Sequence, residues 1–210
     1  MLITTKGARR NAQKEMNEAK KTDVKKLTLS AVLIALSAGL SMIKVLEMPL
    51  GGSITPLSML PVCMISIMYG CKWGLFCSFI YSLTQLGLGI AAVAGWGLTP
   101  EAFVGCIIFD YLIAFSVLGI SGMFRKHGVP GYIAGIALGI SLRMVSHVIS
   151  GVVFFASSMP DGWNNPLLYS LAYNGAYMLP EFVLTFVGAV FLLKEPHTSK
   201  LFRVELPTGA

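Results

Sequence analysis

The stretch RMVSHVISGVVFFASSMPDGWNNPLLYSLAYNGAYMLPE, from Arg143 to Glu181, decides both the fold and the candidate site. Its apolar runs predict the second half of one membrane helix, an outer loop, and the first half of the next helix. Arg143, His147, Asn174 and Glu181 then lie inside or beside the hydrocarbon. Polar and ionisable groups cost free energy in a bilayer unless they face a cavity or a partner, so this cluster is a functional-site hypothesis.

The composition excludes an ordinary soluble domain. The chain has 210 residues, of which 55% are hydrophobic and only 12% charged, with a mean hydropathy of +0.72. Soluble domains carry about a quarter charged residues. Eight of the sixteen Lys and Arg residues precede Leu27, which indicates membrane topology. We therefore expect a lipid bilayer as surroundings and no nucleic-acid partner, despite the net charge of +6.

Six apolar segments predict an all-α membrane protein, a bundle of six transmembrane helices with short loops. Their approximate limits are residues 27–43, 54–69, 73–93, 102–124, 131–157 and 167–193. Residues 27–193 then form the transmembrane domain, between a basic arm at 1–26 and a tail at 194–210. We expect the arm to be disordered or to lie on the membrane surface. Gly51-Gly52 and nearby prolines predict irregular backbone, which at membrane depth needs cover from protein or a cavity.

The distribution of basic residues predicts the orientation. With the N-terminus inside, fourteen of the sixteen Lys and Arg residues lie on the inner side, Lys44 alone lies in an outer loop, and Arg143 is intramembrane. This asymmetry predicts a multi-pass plasma-membrane protein with both termini in the cytoplasm. The polar residues of the central stretch lie toward the outer side, so the predicted pocket opens outward.

Asp110 is the candidate residue that most needs a partner. It lies in the apolar run IIFDYLIAF without a nearby lysine, so either Arg143 or a bound cation has to compensate its charge. His147 shares a helix face with Arg143 through an i+4 step. Asn174, Tyr177 and Glu181 share a face of the last helix in the same way.

Aromatic residues surround these polar groups. Trp73, Trp96 and Trp163 have the positions of an interfacial belt, whereas Tyr111, Phe155, Tyr169 and Tyr173 are concentrated beside the polar residues. Aromatic faces attract cations and select flat rings. A carboxylate, an amide, an imidazole and several rings together predict a pocket for a small, flat, cationic molecule.

Two rows of small residues allow close helix packing. Gly131, Gly135 and Gly139 recur every fourth residue, and we expect them to pack within the bundle. Ala31, Ala35 and Gly39 do the same on the first helix. Their spacing alone leaves packing and the docking of another membrane protein equally open.

The motifs GGSITPLSMLP, YGCKWGL, FDYLIAFSVLGISGMF, RMVSHVISGVVFFASSMPDGW and YSLAYNGAYMLP resemble those of the thiamine-specific substrate-binding (S) components of energy-coupling-factor (ECF) importers, the ThiT/YuaJ family. The resemblance covers about residues 27–193. It implies a six-helix membrane protein that binds thiamine in an outward pocket and catalyses no reaction. It also implies partners, namely a transmembrane coupling subunit and two ATPase subunits.

The resemblance also implies site residues. The implied thiamine contacts are Asp110, Tyr111, His147, Phe155, Tyr169 and Asn174, to which the shared helix face adds Tyr177. The face formed by Ala31, Ala35 and Gly39 would contact the coupling subunit. Aspartate stands at position 110 where some relatives have glutamate, Phe155 stands where those have tryptophan, and the loop at residues 44–53 has no tryptophan. These changes alter how far the side chains extend into the pocket, while an anion and an aromatic face are retained.

Other functions fit the sequence less well. The four cysteines lack the spacing of a metal or disulfide framework, and we expect no cofactor and no metal. An intramembrane hydrolase would need converging histidines or acids, and no GxxxxGK[ST] loop for ATP is present. The alternatives are a self-sufficient proton-coupled carrier using Asp110 and Glu181, for which repeats are lacking, or an S component for a related vitamin or a thiamine precursor.

Overall fold

The structure, a computed structural model, describes the backbone of residues 3–195 and the side chains of residue 16 and residues 20–195. The predicted tail at 194–210 therefore lies almost wholly outside the described residues. Within residues 3–195 seven α-helices follow one another, and they are α1 (Ile3–Ser41), α2 (Leu60–Tyr69), α3 (Cys71–Gly95), α4 (Pro100–Cys106), α5 (Ala114–Ser116), α6 (Gly128–Val153) and α7 (Pro166–Lys194). A π-helix, Ile107–Ile113, joins α4 to α5, and 3-10 helices at Val117–Gly122 and Arg125–His127 lead to α6. Further 3-10 turns are Pro49–Gly51 and Ala156–Ser158.

The all-helical membrane architecture is confirmed. Within residues 3–195, four helical stretches are long and apolar enough to cross a bilayer, and they are Lys20–Ser41, Cys71–Gly95, Pro100–Val153 and Pro166–Lys194. The third stretch has 54 residues and contains two of the six predicted segments, while α2 is too short to qualify. The count of six spanning helices therefore stays a prediction.

The short helix α2 forms the centre of the bundle. All nine residues from Leu60 to Met68 are buried, and they pack against Tyr81, Leu118 and Ile136 in the main core cluster. A ten-residue helix has polar backbone ends that water cannot reach at membrane depth. Burial of α2 inside protein explains how so short a segment is accommodated there.

The small residues of α6 pack within the chain, as expected. A Cβ atom at Gly135 would collide with the backbone oxygen of Ser121, and one at Gly131 would collide with that of Phe124. At Gly139 it would lie 2.8 Å from the Ser121 hydroxyl. The glycines thus let α6 approach the preceding segment, from the 3-10 helix Val117–Gly122 to Phe124, at backbone distance.

Two expectations concern the first part of the chain, and one of them needs correction. The arm at residues 1–26 is not disordered where it is described, because α1 begins at Ile3 and continues into the first membrane segment. The irregular backbone predicted near Gly51 is present, and it includes a short antiparallel hairpin, with β1 (Leu46–Glu47) paired to β2 (Ser53–Ile54). At its tip Leu50 and Gly51 have positive φ angles of 60° and 93°.

Candidate functional site

One cavity of about 380 Å³ lies at the end of the bundle that carries the β1–β2 hairpin. A volume of this size is within the range of small-molecule sites, roughly 300–1,000 Å³. All seven residues predicted as the binding site line it, and they are Asp110, Tyr111, His147, Phe155, Tyr169, Asn174 and Tyr177. The fold therefore brings together residues from three separate apolar segments.

Asp110 is held by two donors from α6. The Nδ1 atom of His147 lies 2.8 Å from Oδ1, and the Ser150 hydroxyl donates to Oδ2 at 2.6 Å. The Asp110 side chain keeps 19% of its surface accessible, so it is oriented by protein and still faces the cavity. The predicted alternative of an Asp110–Arg143 pair is wrong, because Arg143 pairs with another residue.

The π-helix Ile107–Ile113 carries Asp110 at its midpoint. Such wide turns are rare and are frequently found at functional sites. The Ser146 hydroxyl donates to the backbone oxygen of Phe109 at 2.6 Å, so α6 satisfies a carbonyl beside Asp110. Two serines, at positions 146 and 150, therefore fix the backbone and the carboxylate of this turn from the same helix.

Arg143 pairs with Glu181 of α7. Its Nη1 atom lies 3.5 Å from Oε2, and the two side chains are 9% and 1% exposed. The other oxygen of Glu181, Oε1, accepts from the backbone N–H of Thr55 at 2.8 Å and from the Thr55 hydroxyl. Breaking a buried pair of this kind leaves an uncompensated charge, which is strongly destabilising.

The hydrogen-bond pattern assigns the tautomer of His147. The Nε–H of Arg143 donates to Nε2 of His147 at 3.3 Å, and a guanidinium has no acceptor atom. Nε2 is therefore the acceptor, and Nδ1–H donates to Asp110. Both ring nitrogens have protein partners, so the geometry makes His147 the residue that orients Asp110. A hydrogen bond to a ligand requires exchange of one of these partners.

Asn174 and Tyr177 form the α7 wall of the cavity, and both are buried. The Tyr177 hydroxyl donates to Oδ1 of Asn174 at 2.7 Å, while the amide Nδ2 donates to the backbone oxygen of Ser170 at 2.9 Å. The rings of Tyr169, Tyr173 and Tyr177 follow one another with centroids 6.0 Å apart. This row of aromatic faces suits a flat ligand.

The tip of the hairpin packs directly on the aromatic walls. A Cβ atom on Gly51 would lie 2.6 Å from the Trp96 ring, and one on Gly52 would lie 2.8 Å from the Tyr177 ring. The N–H of Gly52 donates to the Tyr173 hydroxyl at 3.2 Å. Only glycine combines this closeness with the φ angle of 93° at position 51.

Sequence reasoning missed some lining residues. Trp96, whose position is typical of an interfacial belt, lines the cavity and contacts the hairpin tip. Gln85 also lines it and donates to the Ser41 hydroxyl at 2.8 Å, which connects α3 to α1. An amide in the middle of an otherwise apolar segment was the available signal for Gln85. Lys44 lines the rim, where it pairs with Glu47 at 2.5 Å.

The ionised groups around the described cavity leave one negative charge uncompensated. Arg143 is balanced by Glu181, Lys44 is balanced by Glu47, and His147 is neutral in the assigned tautomer. Asp110 remains. Chemically the cavity therefore suits one flat molecule with a single positive charge.

Comparisons with known proteins agree on one family. The profile of the family described as Thiamine transporter protein (Thia_YuaJ) matches residues 27–201. Thiamine transporter ThiT of Bacillus subtilis (strain 168) is 33% identical over 186 residues, covering 80% of this chain and 89% of that protein. The solved structure of ThiT from Listeria monocytogenes superposes with a TM-score of 0.68 at 25% identity, covering 86% of this chain and 98% of the other. The chain belongs to the thiamine transporter (Thia_YuaJ) family.

Proposed function

We propose that this chain is the high-affinity thiamine-binding membrane subunit, the S component, of an ECF importer. The observation that carries the proposal is the cavity with a single uncompensated carboxylate, Asp110, beside a row of aromatic rings. Thiamine is a flat molecule with one permanent positive charge on its thiazolium ring. Membership of the thiamine transporter family supports the same ligand.

In the proposed complex the thiazolium ring lies against Asp110, Tyr111 and Phe155. The aminopyrimidine ring stacks on the tyrosine row of α7 and exchanges hydrogen bonds with Asn174 and Tyr169. His147 holds Asp110 in place. The cavity opens to the outside, since the hairpin end of the bundle is opposite the basic inner end of the chain.

A direct test is the titration of purified protein with thiamine. We expect saturable binding of one thiamine per chain with a Kd below about 1 μM. Analysis of the small molecules that co-purify with the protein by mass spectrometry distinguishes thiamine from its phosphates and its pyrimidine precursor. Absence of saturable thiamine binding by folded protein would contradict the proposal.

The proposed partner surface lies on α1. Ala31, Ala35 and Gly39 are exposed, whereas other residues of the helix attach it to α3, with Ser30 accepting from the Trp73 ring N–H at 2.9 Å. Apart from the neighbouring backbone of α1 itself, no described atom lies within 4 Å of a Cβ built on Gly39. We propose that the coupling subunit packs on this face, because small residues allow close helix approach.

Replacing Ala35 with leucine tests the docking surface. We expect Ala35→Leu to leave thiamine binding unchanged and to reduce ATP-driven uptake by about tenfold in vesicles containing the coupling subunit and ATPases. Ala91→Leu, at an exposed position of α3, is the matched control. Equal uptake by the two variants would exclude this face. Uptake without any ATPase would instead support a proton-coupled carrier.

The hairpin tip is expected to control how long thiamine stays bound. Gly51→Ala forces a Cβ atom into the Trp96 ring, so the tip has to move off the cavity. We expect thiamine to dissociate about tenfold faster in stopped-flow measurements. Gly162→Ala is the control, since Gly162 has a similar φ of 95° but open space around it. Equal dissociation rates in the two variants would show that the contact between the tip and Trp96 does not control dissociation. Any faster dissociation would then come from backbone strain alone.

A further inference from the structure

Arg143 and Glu181 are the buried charged groups around the cavity that the proposed thiamine contacts leave without a role. Arg143 lines the cavity itself. An unbalanced guanidinium at this position would repel a cationic ligand and weaken the attraction of Asp110. Its presence in a site for a cation therefore requires a compensating group.

Glu181 provides that compensation. Oε2 accepts from Nη1 of Arg143, and Oε1 accepts from the backbone N–H and the hydroxyl of Thr55. Both carboxylate oxygens therefore have partners, and Oε2 faces the Arg143 guanidinium. The pair contributes no net charge to the cavity.

Arg143 has a positioning role that its charge does not explain. Its Nε–H fixes Nε2 of His147 as an acceptor, and this leaves the Nδ1–H of His147 directed at Asp110. The guanidinium carbon also lies 4.4 Å from the centre of the Phe115 ring, which holds the side chain against the wall. The orientation of Asp110 therefore depends on Arg143 through His147.

We propose that Arg143 and Glu181 together determine the charge selectivity of the site. Arg143 positions His147 and Asp110, and Glu181 cancels the charge that this positioning brings with it. The cavity then recognises a ligand with one positive charge. This inference rests on the proposed thiamine-binding function, and it concerns two residues outside the proposed thiamine contacts.

The test compares Glu181→Gln with the double variant Arg143→Gln/Glu181→Gln. The single variant retains an acceptor for Thr55 but leaves the Arg143 charge unbalanced, so thiamine affinity should fall by about 10- to 100-fold. In the double variant the amide nitrogen of the glutamine introduced at position 143 takes the place of the arginine Nε and still donates to His147. We expect the thiamine affinity of the double variant to return to within about threefold of the wild-type value.

Selectivity is measured with the uncharged hydroxymethyl-aminopyrimidine half of thiamine as the second probe. In Glu181→Gln the preference for thiamine over this probe should fall, and in the double variant it should recover. A merely structural role predicts similar losses for both probes and no recovery. If Glu181→Gln does not fold, the double variant alone tests the proposal. The proposal then requires the double variant to bind thiamine nearly as well as the wild type.

The outcomes separate the two proposals. Wild-type protein that does not bind thiamine overturns the proposed function and this inference with it. Wild-type protein that binds thiamine, with a Glu181→Gln variant of unchanged affinity or a double variant without recovery, overturns the charge balance alone.

Discussion

Asp110→Asn should lower the affinity for thiamine by about 100-fold or more, because removing one partner of a desolvated charge pair costs about 2–5 kcal/mol. Asparagine has the shape of aspartate. Its oxygen can still accept from His147, and its amide can donate to the Ser150 hydroxyl, so both contacts of the native side chain are retained. The variant removes the negative charge and little else.

The measurement is a thiamine titration of purified Asp110→Asn beside Asp161→Asn. Asp161 is an exposed acid in the loop before α7, so its variant controls for the change in net charge. We expect Asp161→Asn to bind like the wild type. Folded Asp110→Asn protein with wild-type affinity would remove the electrostatic basis of the site assignment.

Arg143→Met should cause a large loss of stability. It leaves the carboxylate of Glu181, which is 1% exposed, without its cation, and loss of one member of a buried ion pair costs about 3–5 kcal/mol. For a chain of this length we expect the Tm of detergent-solubilised protein to fall by about 10 °C. The loss arises in the unliganded protein and therefore needs no thiamine.

Arg125→Met provides the comparison for that stability measurement. Arg125 is a half-buried residue at the basic end of the bundle, where it donates to the backbone oxygen of Met68 at 3.2 Å. Because Arg125→Met leaves no buried carboxylate without a partner, we expect the Tm of this variant to change by only a few degrees. Equal losses for the two variants would show that Glu181 is not destabilised by losing Arg143.

The candidate site was largely predictable because charge in an apolar segment has few explanations. Asp110 and His147 stood out for this reason, and the cavity contains both. The partner of Arg143 was not predictable. Glu181 lies 38 residues further along the chain, and the rotation of α7 about its axis determines which of its residues contacts Arg143. The π-helix around Asp110 shifts backbone hydrogen bonds by one residue, and the side-chain pattern does not record such a shift.

For the fold as well, features set by neighbouring residues were predictable, and contacts between distant segments were not. The six apolar segments were readable from hydropathy, and the arm could have been predicted as helical because ARRNAQKEMNEAKK is rich in good helix formers. The role of Trp96 in the cavity could not have been predicted, because its place at the end of α3 is typical of an interfacial residue. Its contact with Gly51 depends on how the hairpin folds over the bundle.

If one uncompensated carboxylate selects a flat monocation, competition binding should distinguish a charged from an uncharged ligand. Labelled thiamine bound to the purified wild-type protein is displaced either by unlabelled thiamine or by its uncharged pyrimidine half. We expect the uncharged half to compete at least about 100-fold more weakly, and we expect Asp110→Asn to remove most of this difference. Equal competition by the two compounds in the wild-type protein would contradict it.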